Sequence, residues 1–309
     1  MESGTIEVES KKYPKALKEA LKNLVASSGS KTLYYKGSWS DFFPPEAGQP
    51  GAGKNCLAVV GSRHLTYYGR KVTEQIVTEA CAAGITIVSG FMYGGDEAAH
   101  SAAVKCGGRT IAVMPCGIDR IHPETQKKLY QDILDNNGLI LSEYEGSTQP
   151  QTFTYIQRDR IVAGLSKAVL VTEAALNSGS LLTAGYATKY GRKVFAVPGQ
   201  ITSELSRGTI KLIREGAEAV SEPRDILTFF KVLASQKKES AFGTPKLVAK
   251  AAEPKTLEEK ILAHLKREPM KADELARVFA VPVAQIGITL SLMEMKSQII
   301  QNSGKYYLN

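Results

Sequence analysis

The sequence predicts an α/β fold, built on a parallel β-sheet with helices on both faces and followed by a small C-terminal winged-helix domain. From residue 56 onward, short apolar runs alternate with segments of helical periodicity, which is the pattern of βαβ units on a parallel sheet. After residue 256, three short helical patterns precede two strand-like runs around an Asn-Ser-Gly turn. Three helices and a hairpin in this order indicate a winged helix.

Six apolar runs are the expected strands of the Rossmann-like sheet. They span residues 56–60, 85–89, 109–114, 139–143, 167–172 and 193–197. Because these runs are apolar on both faces, they fit strands that helices cover on each side. Helical patterns over 67–84 and 123–138 each end on a glycine, a residue that commonly terminates helices.

The chain divides into four predicted segments. Residues 1–54 form a lead-in segment, and residues 55–231 form the α/β domain. Residues 232–255 collect Lys, Ser, Pro and Ala without sustained periodicity, which is typical of a linker. The winged helix then occupies residues 256–309.

Positive charge is unevenly placed along the chain. The 309 residues carry a formal net charge of +8, which suggests an anionic partner. Residues 155–214 contain nine basic and three acidic side chains, whereas residues 119–145 contain three basic and six acidic ones. This asymmetry is what a face that binds a polyanion requires.

Composition argues against membrane, disulfide and metal classes. No apolar stretch approaches the ~20 residues that span a bilayer, and the N-terminus lacks an apolar secretory region. We therefore expect a cytoplasmic protein without a membrane partner. Cysteines occur, widely spaced, at Cys56, Cys81, Cys106 and Cys116, and the chain has four histidines. This pattern predicts neither a disulfide framework nor a metal site, so we interpret the cysteines as reduced packing residues.

Residues that follow the strands are the candidate site, because ligands of open parallel sheets bind outside the carboxyl ends of the strands. Gly61, Ser62 and Arg63 follow the first strand. Glycine lets the backbone approach an anion, and the arginine offers a fork for a phosphate. An ordinary strand-to-helix turn would use the same residues.

A second candidate phosphate site follows the fifth strand. There Ser178, Gly179 and Ser180 precede a helix that is expected from about Leu181. Backbone N–H groups, hydroxyls and the positive end of the helix dipole make such a segment a phosphate site. Helix capping alone would need the same residues, so spacing does not separate the two interpretations.

Aromatic and cationic residues alternate just before the fifth strand. Phe153 and Tyr155 are followed by Arg158 and Arg160. This combination suits a single nucleic-acid strand, whose bases stack on aromatic rings while arginines pair with its phosphates. The alternative is a solvated start of a helix, with Phe153 tucked into the core.

Asp96 and His100 are the nearest approach to a catalytic or metal-binding pair. They lie one helical turn apart after the second strand. Without a further histidine cluster, a capping aspartate and a packed histidine are the favoured interpretation. We expect no catalytic residue, no metal and no cofactor. A dinucleotide cofactor in particular needs G-x-G-x-x-G after the first strand, where the sequence is GSRHLTYYG.

Together these motifs resemble the DprA/Smf family. The shared motifs, in order, are VVGSR, YYGR, AGITIVSG, GDEAAHSAA, GGRTIAV, CGIDRIHP, LILSEY, Arg-x-Arg before IVAGLS, SGSLLTA, KVFAVPG and LSRGT with LIREGA. The resemblance covers about residues 55–228. Residues 13–37 resemble the lead-in of that domain, and residues 256–309 are similar to the C-terminal winged helix of the family.

This sequence departs from the family pattern at two places in the candidate site. The family usually has Ala-Arg-Gly-Ile-Asp where residues 92–96 read Met-Tyr-Gly-Gly-Asp, so Tyr93 replaces a basic residue. Asp159 stands where the family usually has Asn, and it adds a negative charge. An N-terminal helical domain that many members carry has no counterpart here, which leaves a homodimer open.

The resemblance implies a protein without enzymatic activity that binds single-stranded DNA, protects it and loads the RecA recombinase during natural transformation and recombination. The residues expected to contact DNA are Gly61, Ser62, Arg63, Tyr155, Arg158, Arg160, Ser178, Gly179 and Ser180. Backbone amides and arginines would hold phosphates while Tyr155 stacks a base, largely without regard to sequence.

Two other functions compete with this one. The LOG-type nucleotide phosphoribohydrolases share a related sheet, but their Pro-Gly-Gly-x-Gly-Thr signature is replaced here by NSGSLLTAG. A sequence-specific regulator would use the winged helix. Its expected recognition helix, residues 282–297, contains Lys296 as its only basic residue, whereas readers of the major groove bring several.

Overall fold

A computed structural model of the chain describes residues 2–22, 32–44, 55–232, 256–266 and 268–308. The chain forms two compact units, Met1–Gln236 and Lys237–Asn309. The linker expected at 232–255 lies, except for its first residue, outside the described residues.

A nine-stranded sheet forms the centre of the larger unit. Its strands are β1 (Ser3–Ile6), β2 (Leu33–Gly37), β3 (Cys56–Val60), β4 (Thr86–Ser89), β5 (Thr110–Val113), β6 (Leu139–Ser142), β7 (Ala168–Val171), β8 (Lys193–Ala196) and β9 (Glu218–Ala219). They lie in the order β1-β2-β6-β5-β4-β3-β7-β8-β9. All pairs from β6 to β9 are parallel. The six strands predicted from apolar runs are therefore confirmed.

Helices cover both faces of this sheet. They are α1 (Lys15–Lys22), α2 (Trp39–Phe42), α3 (Tyr67–Ala82), α4 (Gly95–Lys105), α5 (Lys127–Asp135), α6 (Thr152–Leu165), α7 (Ser180–Lys189), α8 (Arg207–Arg214) and α9 (Pro223–Phe230). Successive residues of β3 alternate between two cores: Ala58 packs with residues of α1, α6 and α7, whereas Leu57 packs with residues of α3, α4 and α9. Alternation between two buried faces explains why the strands are apolar throughout.

The lead-in segment contributes two strands to the sheet, which the sequence did not predict. β1 and β2 pair antiparallel, and β2 pairs antiparallel with β6, where Tyr34 lies opposite Ser142. Leu33, Trp39 and Phe42 are buried in the main core. The described parts of residues 1–54 therefore belong to the same folded unit as the central domain, and the sheet is mixed at this edge.

Strand order places a switch point at the centre of the sheet. From β3 the chain proceeds through β4, β5 and β6 on one side, and α6 then returns it to β7 on the other side of β3. Loops that leave β3 and β7 therefore turn to opposite faces and open a crevice at the carboxyl edge. The candidate site occupies this crevice.

The smaller unit has the winged-helix arrangement that the sequence predicts. It contains α10 (Leu257–Leu265), α11 (Ala272–Phe279), α12 (Val283–Met295) and an antiparallel hairpin of β10 (Ile299–Asn302) and β11 (Lys305–Leu308). Ile261, Leu275 and Leu290 are fully buried in its own core. Ser303 and Gly304 both have positive φ, as a two-residue turn between twisted strands requires.

The cysteines are all free, but one of them does not pack. Cys56 and Cys116 are buried and Cys81 is half-buried, whereas Cys106 is exposed. Cys106 follows the last turn of α4, where the helix reaches the surface. The interpretation of all four as packing residues is therefore wrong for Cys106.

Within the described ranges, no single helix is long and apolar enough to cross a membrane. Only α11 and α12 taken together reach the necessary length and composition, and they are bent by 117° relative to each other.

Candidate functional site

A cavity of about 590 Å³ opens at the carboxyl ends of β3, β4 and β7. We call this cavity the switch-point pocket. Its lining comes from the loops after these strands, from the first two turns of α6, from the start of α7 and from Leu205, which follows β8. The residues are Val60, Gly61, Ser62, Arg63, His64, Gly90, Met92, Tyr93, Asp96, Thr152, Tyr155, Ile156, Arg158, Asp159, Ala175, Asn177, Ser178, Gly179, Ser180, Leu182, Thr183 and Leu205. The pocket thus gathers eight of the nine predicted DNA-contacting residues, and Arg160 is the exception.

Glycines bring the loops after β3 and β4 into direct contact. The backbone N–H of Gly95 donates to the carbonyl of Ser62 at 3.0 Å. A Cβ on Gly95 would lie 2.6 Å from the Gly61 nitrogen, and one on Gly94 would lie 2.2 Å from the Ser62 carbonyl oxygen. Gly94 also has a φ of +74°, which side chains rarely tolerate. The two loops therefore approach closely because glycine occupies their contact.

Arg63 presents its charge at the mouth of the pocket. Its residue is exposed, and its guanidinium carbon lies 5.3 Å from the ring centroid of Tyr155. A cation over an aromatic face at this distance is an attractive contact that also limits the arginine's freedom. Arg63 is therefore partly positioned before any ligand arrives.

His122 holds the hydroxyl end of Tyr155. The Tyr155 hydroxyl and His122 Nε2 are 2.7 Å apart, and the two rings meet edge to face. Burial lowers the pKa of His122, and the positive charge of Arg120 lowers it further. Both effects favour the neutral form of His122, which suits its role as a hydrogen-bond partner of Tyr155.

Arg158 lies at the floor of the pocket, where acidic residues surround it. Its Nε donates to Asp159 Oδ1 at 3.0 Å and one terminal nitrogen donates to the Val113 carbonyl at 2.7 Å. Burial raises the pKa of Asp96, although the charge of Arg158 opposes this effect. The Arg158 guanidinium, held in this way, organises the pocket floor. Arg63 supplies the accessible positive charge of the pocket.

Asp159 is also largely buried, with its side chain 15% exposed against 5% for Arg158. Burial raises the pKa of Asp159 to about 6, and the neighbouring Asp96 adds to the rise while Arg158 opposes it. Two carboxyl groups thus share one arginine. Because like charges nearby disfavour ionisation, this cluster holds protons more readily than an isolated aspartate.

Arg160 lies outside the pocket. It is 6% exposed and pairs with the buried Glu143. The reason is helical geometry: Arg158 and Arg160 are two residues apart on α6, and such positions point to opposite sides of a helix. The expectation that both arginines face one ligand site is therefore wrong. Burial raises the pKa of Glu143 to about 7 even though Arg160 opposes this rise.

The Ser178-Gly179-Ser180 segment lies at the start of α7. The helix begins one residue earlier than the sequence predicts. Gly179 is the N-terminal cap, and the helix begins at Ser180. The hydroxyls of Ser178 and Ser180 are 2.8 Å apart, and the backbone N–H of Ser180 lies 3.4 Å from Ser178 Oγ. All three residues line the pocket, so the positive end of the helix dipole faces it.

His100 is a packed histidine, as the sequence predicts, but Asp96 is not the helix cap. His100 is fully buried between the Gly90 carbonyl at 2.6 Å and Thr110 Oγ1 at 2.8 Å, and burial lowers its pKa to about 4. Helix α4 begins at Gly95 with Gly94 as its cap. Asp96 instead accepts a hydrogen bond from the Met92 N–H at 3.3 Å. Among the described residues, no group of His, Cys, Asp and Glu could hold a metal ion.

Sequence reasoning missed two residues that shape the pocket. Glu173, directly after β7, accepts hydrogen bonds from the backbone N–H and hydroxyl of Thr66 at 2.8 and 2.6 Å, which fixes the start of α3. His122 was missed although it follows the third predicted strand. Inspecting the residues after the third predicted strand as well would have found His122. Glu173 follows a strand whose end was inspected, and its role depends on its contact with Thr66, which the sequence does not show.

Two family models match this chain. The model described as DNA recombination-mediator protein A matches residues 4–231, and the one described as DprA winged helix domain matches residues 245–305. Together they extend over most of the sequence.

Curated proteins similar to this chain are named DprA or Smf. The DNA processing protein DprA of Streptococcus pneumoniae is 45% identical over 174 residues, which make up 56% of this chain and 61% of that protein. The matched segment thus spans less than two thirds of that relative. Protein Smf of Synechocystis is 33% identical over 300 residues, which cover 89% of this chain and 74% of that protein.

Two solved structures are similar to this chain over about three quarters of its length. DprA from Streptococcus pneumoniae aligns with a TM-score of 0.64 at 38% identity, covering 74% of each chain. DNA processing protein A from Helicobacter pylori, described by its unique single-stranded DNA binding mode, aligns with a TM-score of 0.61 at 29% identity. That alignment covers 75% of this chain and 96% of the other.

Proposed function

Because this chain belongs to the DNA recombination-mediator protein A family, also known as DprA/Smf, we propose that it binds single-stranded DNA in the switch-point pocket. Binding involves no covalent step. A phosphate of the strand meets Arg63 and the N-terminus of α7, and neighbouring bases lie against the aromatic rings of the pocket.

The observation that carries this proposal is the placement of Arg63. It is an exposed cation over the Tyr155 ring, in a pocket that also contains the Ser178-Gly179-Ser180 helix start. The Arg63 cation, the N-terminus of α7 and the aromatic rings of the pocket match the phosphate and the base of an unpaired nucleotide. Paired bases in a duplex would not reach the ring, so the pocket favours single strands.

The biological role we propose is to protect incoming single strands and to deliver them to the RecA recombinase during natural transformation and recombination. Support comes from the family, whose model is described as a recombination mediator. A protein that holds the strand through phosphates and a few stacked bases leaves other bases open for a recombinase. This role does not require the chain itself to cleave or join DNA.

The competing enzyme function has weaker support. A LOG-type nucleotide hydrolase would need the Pro-Gly-Gly-x-Gly-Thr segment, which reads NSGSLLTAG here. The charged groups at the pocket floor, Asp96, Arg158 and Asp159, are tied to one another and to the backbone. A mononucleotide hydrolysis assay that shows turnover would favour the enzyme.

The direct test is fluorescence anisotropy with labelled oligo-dT and with a duplex of the same length, over a series of salt concentrations. We expect preferential, salt-dependent binding of the single strand. Arg63→Ala should weaken that binding by about tenfold to a hundredfold, because a hydrogen bond to a charged group contributes about 1.5–3 kcal/mol.

Arg70→Ala is the matched control. Arg70 is an exposed arginine of α3 that is not part of the pocket lining, so its removal changes the net charge equally. An equal loss of affinity in both variants would show that charge alone, and not the pocket, binds the strand. Equal affinity of the wild type for single strand and duplex would contradict the proposal.

A further inference from the structure

Tyr93 occupies the rim of the switch-point pocket opposite the helical side. It lies in the loop between β4 and α4 and is 42% exposed. The next residue, Gly94, approaches Arg63 so closely that a Cβ there would lie 2.7 Å from the Arg63 carbonyl carbon. Tyr93 therefore directly precedes the glycine that contacts the backbone of Arg63.

One short segment holds the hydroxyl ends of two tyrosines. The hydroxyl of Tyr93 lies 3.0 Å from Thr125 Oγ1, and that of Tyr155 lies 2.7 Å from His122 Nε2. His122 and Thr125 belong to the same turn after β5, between β5 and α5. A ring fixed at its hydroxyl loses little further side-chain freedom when a ligand stacks on it.

The two rings differ in the access they offer. Arg63 lies over the ring of Tyr155, so a base could stack on that face only after the arginine moved. Among the residues that the structure describes, no aromatic ring and no cation packs against the ring of Tyr93. Tyr93 is thus the more accessible aromatic surface in the pocket.

We propose that Tyr93 is the principal base-stacking residue of this pocket, and that it takes the base of a nucleotide whose phosphate meets Arg63. This inference rests on the proposed single-strand binding and assigns the base contact within it. The ligand class is an unpaired nucleotide in a strand, with the aromatic face of any base sufficient for the contact.

The test compares oligo-dT with an abasic oligonucleotide of the same length, which keeps the phosphates and lacks the bases. Tyr93→Ala should lower the affinity for oligo-dT by about tenfold or more and leave the affinity for the abasic strand nearly unchanged. Tyr93→Phe keeps the ring and should restore most of the oligo-dT affinity. Tyr68→Ala, which removes a tyrosine of similar exposure outside the pocket lining, should leave both affinities unchanged.

A second variant does not depend on the stability of Tyr93→Ala. The chain has one tryptophan, Trp39, which is 3% exposed in the core. In Tyr93→Trp, a stacked base should quench the new fluorescence on addition of oligo-dT, and the abasic strand should quench it far less. The wild type, with Trp39 alone, should show no quenching.

Each outcome separates this inference from the proposed function. Oligo-dT binding by the wild type that Tyr93→Ala leaves intact, or unquenched Tyr93→Trp fluorescence with oligo-dT bound, would overturn the role of Tyr93 and leave the proposed function standing. Equal losses for oligo-dT and the abasic strand would also overturn it, because the base would then not be the contact. No binding of either strand by the wild type would overturn both.

Discussion

Asp159 holds its carboxyl group against Arg158 at the floor of the switch-point pocket, where burial raises its pKa to about 6. The unfolded chain loses this proton near the ordinary aspartate value, so the folded state binds more protons between about pH 4 and 6. This group therefore contributes stability at low pH that is lost as the pH rises through 6. Across the same range the pocket gains a negative charge.

We expect the affinity for single-stranded DNA to fall as the pH rises from 5 to 7, by about fivefold to tenfold. Two like charges within one pocket repel each other by about 1–2 kcal/mol at an effective dielectric constant of about 20, and salt screens part of this repulsion. Asp159→Asn should bind tightly at both pH values and flatten the profile. Oligo-dT titrations by anisotropy at pH 5 and 7 measure this difference.

Asp132→Asn is the control for this profile, because Asp132 lies on α5 in an exposed ion pair with Lys128 and outside the pocket lining. Its profile should match that of the wild type. If Asp159→Asn kept the full pH dependence, the titrating group would have to be another one, and His122 would be the next candidate.

Arg160 has a structural role that unfolding experiments can separate from binding. Removing one partner of a buried ion pair leaves an uncompensated charge and costs about 3–5 kcal/mol. Arg160→Met should therefore lower the free energy of unfolding by about that amount at pH 8, where Glu143 is ionised. Urea denaturation measures this loss.

The loss should be smaller at pH 5.5, because Glu143, whose pKa is about 7 in the pair, is then protonated and needs no counter-charge. The folded fraction of Arg160→Met should bind oligo-dT as the wild type does. Arg214→Met, at an exposed arginine of α8, should affect neither stability nor binding. A loss of DNA affinity in the folded fraction of Arg160→Met would show that Arg160 contributes to binding.

Sequence reasoning at the residue scale placed residues that follow a strand, but it did not separate the residues of α6 that face the pocket from Arg160, which does not. Gly61, Ser62 and Arg63 could be placed because the end of a parallel strand fixes the edge on which they lie. Arg160 was misplaced because the motif was treated as a linear cluster, whereas the backbone of α6 separates alternate residues. Partners such as His122 depend on packing between loops that the sequence does not encode locally.

At the switch-point pocket, the loops after β3 and β4 contact each other at glycine residues, and a substitution can test this contact directly. Gly94→Ala would place a Cβ 2.2 Å from the Ser62 carbonyl oxygen at a φ of +74°. The loops after β3 and β4 would have to separate, which moves both Arg63 and Tyr93. We expect a stability loss of about 1–3 kcal/mol and at least a tenfold loss of oligo-dT affinity.

Gly107→Ala provides the matched control for this contact. Its φ is +69°, but no atom lies within 4 Å of the added Cβ, and it lies after α4, at the end of the helix opposite the pocket. Gly107→Ala should lose only the stability that the strain of a positive φ costs, and its DNA affinity should be unchanged. Thermal unfolding and anisotropy on both variants separate backbone strain from the clash, and equal binding losses would contradict the glycine contact.

At the element scale, the central parallel strands were predicted correctly because an apolar run flanked by helical periodicity is a local signal. β1 and β2 were missed because they contain four and five residues with polar positions. β2 becomes a strand through its pairing with β6, more than 100 residues away in the chain. Tertiary contact decides such short strands more than intrinsic preference does.

For the whole molecule, salt dependence reports how many phosphates are bound. Among the described residues that line the pocket, Arg63 is the accessible cation, and the N-terminus of α7 lies in the same lining. For single strands the slope of log K against log salt is about −0.7 per neutralised phosphate, so one pocket with one or two contacts predicts a slope of about −1 to −2. Anisotropy between 50 and 300 mM salt, about the range over which such slopes are resolved, measures it.

A much steeper slope would mean that basic residues beyond the pocket bind the strand. Lysines of residues 232–255, which lie almost wholly outside the described residues, would then be the first to replace. Arg63→Ala should reduce the slope by about 0.7 if its charge meets one phosphate.

The position of β3 between β4 and β7 has a consequence for the newly synthesised chain. β3 can pair with β4 once the crossover helix α3 and β4 itself have left the ribosome, but its other neighbour, β7, lies about 110 residues further along. Until β7 and the start of α7 emerge, β3 remains an open sheet edge that can pair with other chains. Any product that stops before β7 therefore lacks the part of the pocket that the loop after β7 and the start of α7 provide, and it carries a surface prone to aggregation. The ability to bind a strand is thus acquired in one late step, after most of the domain has been made.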